Sequence, residues 1–219
     1  YAFDAMTGKN KWTTDGLVGF IEARPTVDAT NVYIGTWGAK FYAFDRKTGS
    51  KAWEFDTGRG RYFTPGACWP VTIGNKIFMY STDYYFRAFS HDGKVEWQTN
   101  APKGREAIGI SADKKTIYVQ GIGSNITAYD LTKEGYPQKW ELKMPYKENF
   151  VPTRLGISGK EIYVASAFGI VYAISDDGSG VKWEHKISNS AVTSFATTPD
   201  GAIIAMTMDG KIVKLKSSN

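Results

Sequence analysis

The chain has 219 residues, 42% of them apolar and 22% charged, a balance that excludes a disordered segment and leaves room for one substantial core. A net charge of +5 comes from lysines spread through turns and strands; with no run of five like charges, no nucleic-acid partner is expected. No apolar run approaches the ~20 residues of a membrane helix, and a single cysteine, Cys68, excludes an internal disulfide.

The chain opens on Ala2-Phe3 and runs to Trp12 through Asp4-Ala5-Met6-Thr7-Gly8, which reads as the last two strands of a four-stranded unit. A complete unit follows, with strands predicted near 24–28, 31–37, 40–45 and 51–56. Inside it Val32-Tyr33-Ile34 and Lys40-Phe41-Tyr42-Ala43-Phe44-Asp45 alternate with period two and are rich in β-branched and aromatic side chains, the pattern of strands, not helices. Its last turn, Asp45-Arg46-Lys47-Thr48-Gly49, ends on a glycine that accepts positive φ. Further units are predicted near 68–99, 107–143 and 153–187, and residues 194–216 supply the first three strands of a last one.

Two registers tie these units together. Trp12, Trp53, Trp97, Trp140 and Trp183 recur at spacings of 41, 44, 43 and 43, each preceded by an apolar pair: Ala2-Phe3, Ala43-Phe44, Ala88-Phe89, Ala128-Tyr129 and Ala173-Ile174. Val32, Ile77, Ile117, Ile162 and Ile203 each lie 12 residues before Phe44, Phe89, Tyr129, Ile174 and Leu215, a fixed distance that spans a hairpin. A four-stranded antiparallel sheet repeated about every 43 residues is a propeller blade. The predicted fold class is all-β, a β-propeller or an arc of one.

Residues 43–53 and 2–12 resemble the repeat of pyrroloquinoline-quinone (PQQ) enzymes and their relatives. The resemblance implies a docking motif of small residue, Asp, Gly and Trp that locks neighbouring blades, with Trp12, Trp53, Trp97, Trp140 and Trp183 as its structural tryptophans. A buried indole N–H needs a partner. Other copies are degenerate: Ser90 and Ser175 replace the Asp, and insertions stretch the copy that ends at Trp140.

Enzymes of that family resemble one another in adjacent cysteines, a calcium held by acidic and amide side chains, and a catalytic aspartate. Cys68 stands alone, and no Asn/Glu/Asp cluster has calcium-loop spacing. The expectation is a non-enzymatic member with no cofactor and no metal; the alternative is a fragment or remnant of a PQQ-dependent dehydrogenase. Non-enzymatic relatives include an outer-membrane assembly lipoprotein, sensor domains and surface proteins, which implies a periplasmic or cell-surface location. Residues 1–219 are expected to form a single propeller domain incomplete at both ends, part of a larger multidomain chain or an arc completed by another copy.

In an up-and-down blade the turn between the second and third strands falls on the same side as the loop to the next blade. That topology gathers Trp37, Arg24, Arg59, Arg61, Tyr62, Trp69, Tyr84, Tyr85, Arg105 and Arg154 on one rim. Arginine forks and aromatic faces suit a protein or glycan partner; the same rings also serve to plug a propeller channel. Trp37 is the first choice for a binding role, because its counterparts Thr82, Ile122, Ala167 and Met208 are not aromatic. Arg24 and Arg154 have Glu22 and Glu148 at hand as local partners. Cys68 reads as a small buried hydrophobe, Gly121-Ile122-Gly123 as a hairpin turn, and Asn125-Ile126-Thr127 as a glycosylation sequon at the start of a strand.

Overall fold

The computed structural model describes residues 1–60, 62–101, 104–147, 149 and 153–216, with Glu106 as backbone alone. It divides into two compact units, Tyr1–Arg105 and Glu106–Asn219. No helix among the described residues is long and apolar enough to cross a membrane.

The first unit begins with a two-stranded sheet, β1 (Ala2–Phe3) and β2 (Asn10–Trp12). Two four-stranded meanders follow: β3 (Thr26–Val27), β4 (Asn31–Gly35), β5 (Lys40–Asp45) and β6 (Lys51–Asp56); then β7 (Val71–Ile73), β8 (Lys76–Tyr80), β9 (Tyr85–Phe89) and β10 (Val95–Asn100). A short 3-10 turn, Pro65–Ala67, precedes β7. The next meander is β11 (Gly104–Ile110), β12 (Thr116–Gly121), β13 (Asn125–Asp130) and β14 (Gln138–Lys143). After it come β15 (Gly156–Ser158), β16 (Glu161–Ala165), β17 (Ile170–Ser175) and β18 (Val181–Lys186), then a three-stranded sheet of β19 (Val192–Thr197), β20 (Ile203–Thr207) and β21 (Ile212–Leu215). Strand order is sequential and antiparallel throughout, as the hairpin spacing predicts. In the unit at 24–56 the first strand is shorter than the sequence suggests, two residues in β3 where five were expected.

Alternation decides which faces are buried. In the first unit Tyr33, Phe41 and Ala43 face Ile77, Met79 and Phe89 of the next sheet, and Trp53 and Phe55 pack onto them. Each large ring so buried contributes roughly 2–3 kcal/mol of hydrophobic stabilisation. The opposite face of that sheet buries Ile34, Tyr42 and Phe44 with Leu17. In the second unit Tyr118, Ile126 and Ala128 meet Ile162, Val164 and Ile174 in the same way, and Tyr163, Val171 and Ala173 meet Ile203 and Ala205.

The recurring tryptophans have a common geometry. Each lies opposite the alanine of its repeat (Ala2–Trp12, Ala43–Trp53, Ala88–Trp97, Ala128–Trp140, Ala173–Trp183), and in each copy the register slips beside that pair. The slip is a β-bulge, which re-aims the side chain that follows it. The indole N–H of Trp12 then donates to the Arg46 carbonyl at 3.0 Å, that of Trp53 to His91 at 3.0 Å and that of Trp140 to Asp176 at 3.1 Å. These acceptors sit in the last turn of the following sheet. There the rings lie flat on Gly49, Gly93 and Gly178, where an added methyl would come within 2.6 Å of the ring. Trp183 Nε1 is buried without a partner among the described residues, and position 217, which corresponds in register, lies outside them.

Candidate binding rim

Within the first unit the loop 13–25 folds over the turn 36–39. Trp37 N donates to the Phe20 carbonyl at 2.9 Å and the two rings stack at 5.5 Å. Trp37 Nε1 donates to Glu22 Oε2 at 3.1 Å, and Glu22 also accepts from Arg105 Nη2. Gly66 lies beneath the indole, where a methyl would come within 2.6 Å. Trp37 is thus a bracket joining two loops and a turn as well as a rim residue. Glu22 pairs with Arg105, not with the neighbouring Arg24, because the loop turns its carboxylate toward the indole. Arg24 instead lies over the Trp69 ring at 4.7 Å.

The second loop, 57–70, is stitched down by threonines. Thr64 N donates to Thr82 Oγ1 at 2.9 Å, Thr82 Oγ1 donates to the Thr64 carbonyl at 2.8 Å, and Thr64 Oγ1 donates to the Thr36 carbonyl. Arg59 extends over Phe63 at 5.9 Å and Tyr85 at 5.7 Å, and Phe63 packs against Tyr84 at 5.8 Å. Beneath them Arg87 pairs with Asp83 at 2.7 Å, both almost fully buried, and lies over Tyr85 at 4.5 Å and Phe55 at 5.2 Å. Sequence reasoning passed over this pair. Its signal was an arginine at the register that Tyr42, Thr127 and Tyr172 occupy in sibling strands. Cys68 is buried, and burial pushes its thiol up to about 12, far from a reactive thiolate.

The predicted rim residues therefore fall into three small assemblies in this unit: Trp37 with Arg105, Arg24 with Trp69, and Arg59 with Tyr84 and Tyr85. Tyr62 is 74% exposed, and Arg61 lies outside the described residues. Val18, Phe20 and Ile21 are exposed on the same side. In the second unit the corresponding turns carry Phe168 and Met208, both exposed. Tyr146 turns inward there, accepting a hydrogen bond from Gln120 Nε2 at 2.6 Å and packing on Tyr172 at 5.3 Å; burial raises its pKa. Arg154 is exposed, and Glu148, its expected neighbour, lies outside the described residues.

At the opposite end of the first unit an open cleft of about 570 Å³ is lined by Lys11, Ala29, Arg46 and Lys47. Among the described residues the single thiol, Cys68, is buried, and no group of three or more His, Cys, Asp or Glu is placed to hold a metal.

Sequential four-stranded sheets joined by tryptophan–glycine locks define a β-propeller of the PQQ-repeat class. The family described as outer membrane protein assembly factor BamB matches residues 1–147, more than half of the chain, and the chain belongs to that family. It is similar to a quinohemoprotein alcohol dehydrogenase, ADH IIB, of Pseudomonas putida, with 25% identity over 96% of this chain and 34% of that protein. The crystal structure of BamB from Moraxella catarrhalis superposes with a TM-score of 0.76 at 17% identity, over 97% of this chain and 65% of that one. A computationally designed protein, Ika8, superposes at 0.78 with 12% identity, over 97% and 63%. The chain thus spans about a third of the dehydrogenase and under two thirds of each of these solved structures.

Proposed function

We propose that this chain is part of a non-catalytic β-propeller that binds a protein partner outside the cytoplasm, in the assembly of outer-membrane proteins. The contact is made by the loop side that carries Phe20, Trp37, Tyr62 and Tyr84. The observation that carries this reading is the exposure of large apolar side chains on that side, Val18, Phe20, Ile21, Tyr62 and Tyr84, above a backbone fixed by the Trp37 and Thr64 bonds. A protein suits this surface better than a glycan, since Val18 and Ile21 offer no flat face on which a sugar ring stacks. Residues 1–219 belong, on this reading, to one propeller domain that further blades continue.

Photo-cross-linkers at positions 20, 84 and 168 of the whole protein should capture a subunit of the outer-membrane assembly machinery or a barrel precursor. Cross-linkers at positions 54 and 139, exposed on fourth strands, should not. Equal capture from both sets sinks the reading. The similarity to the Pseudomonas putida enzyme favours a second reading, a segment of a PQQ-dependent dehydrogenase. A rise in melting temperature of the chain with excess PQQ and calcium would support it, and an unchanged melting temperature counts against it.

A further inference from the structure

We infer that Tyr84, with Phe63 and Arg59, is the anchor of the loop side and takes a protein segment presenting a carboxylate beside an apolar side chain. This rests on the protein-binding reading above and names the chemistry of the partner. The turns at 36–39, 81–84, 166–169 and 207–210 share one geometry: the first residue's N–H bonds the carbonyl of the residue that follows the turn, at 2.9–3.1 Å. The last residue of each is left-handed: Ala39 at φ 62°, Tyr84 at 68°, Gly169 at 71° and Gly210 at 82°. Glycine meets that requirement freely, whereas a tyrosine is strained. Strain of this kind persists where the surroundings impose it, and it gathers at sites of function. Tyr84 packs on Phe63 and keeps 43% of its surface exposed to a partner.

Charge supplies the second observation. Arg87 and Arg105 on this side each meet a carboxylate, Asp83 and Glu22. Arg59 is exposed and has no carboxylate partner among the described residues, yet its guanidinium is supported by the Phe63 and Tyr85 rings. A cation held over aromatic faces and lacking a counter-ion is complementary to an incoming carboxylate. The platform beneath is preorganised: Ala101 N holds the Tyr84 carbonyl at 2.9 Å, and Tyr85 contacts both Arg59 and Arg87. Tyr84, packed on Phe63, then offers the apolar surface beside the charge.

The test uses the whole protein and three blocked peptides, one alternating Phe and Glu, one Phe and Lys, and one Ser and Glu, titrated by fluorescence anisotropy. The Phe/Glu peptide should bind best. Tyr84→Gly should weaken it at least tenfold while leaving the melting temperature equal or higher. Arg59→Gln should abolish the preference for Glu over Lys. A lower melting temperature in Tyr84→Gly overturns the anchor, because the ring is then structural. Unchanged affinity in both variants also overturns it, as does equal binding of the Glu and Lys peptides by the unaltered chain. If the anchor fails while cross-linkers at position 20 still capture their partner, the wider rim reading stands; loss of capture at every loop position removes both.

Discussion

Asp28 is held ionised by its neighbours. Partial burial pushes its pKa up, but hydrogen bonds from Asn31 N, Tyr33 Oη, Thr30 N and Thr30 Oγ1 outweigh that and bring it to about 2. His91 Nε2 stands 3.2 Å away, so the same carboxylate also ties one sheet to the last turn of the next. A carboxylate whose folded pKa lies below its unfolded value of about 3.9 stabilises the fold above that value and ceases to do so as pH falls through 2. Asp28→Asn should therefore cost about 2 kcal/mol at pH 7, and the difference from the unaltered chain should vanish between pH 4 and pH 2. Urea denaturation across that range measures it; a difference independent of pH would show that shape, not charge, matters there. None of this was legible in the sequence, where Asp28 read only as the last residue of the strand predicted at 24–28.

At the scale of the element, the repeat's alanine and its tryptophan explain each other. The bulge sets Trp53 opposite Ala43, not one residue off, so the indole lies across a small side chain on the face toward the next sheet. There it meets Gly93, whose φ of 86° strains any other residue and whose missing Cβ makes room for the ring. Gly93→Ala should cost roughly 2–4 kcal/mol, from left-handed strain and collision with the ring together. Gly74→Ala shares the positive φ but faces open space, and should cost about 1 kcal/mol. Thermal denaturation of the pair separates the two effects, and equal losses would remove the lock from the account. The period, the hairpins and the tryptophan register were readable in advance because local alternation encodes them. The bulge was not, since a one-residue slip leaves no mark on composition.

At the scale of the molecule, family membership and fold agree, and the share of each relative that is covered marks this chain as matching part of longer proteins. Of the rim residues named from topology, Trp37, Arg24, Arg59, Tyr62, Trp69 and Tyr84 lie on loops and turns of the first unit, whereas Tyr85 opens β9 and Arg105 lies in β11. Their partners were not readable. Glu22 turned to Arg105 and Trp37, Arg24 to Trp69, and Trp37, expected foremost as a ligand contact, also braces the loops. The sequence by itself determined the blade, its period and the tryptophans that join one sheet to the next, since these depend on alternation and on turn residues within about 43 positions. Only the tertiary structure decided which arginines meet a carboxylate, which tyrosine sits strained at the rim, and where the Trp12, Trp53 and Trp140 indoles find their carbonyls. Those depend on contacts between residues tens of positions apart, set by how loops fold over neighbouring sheets.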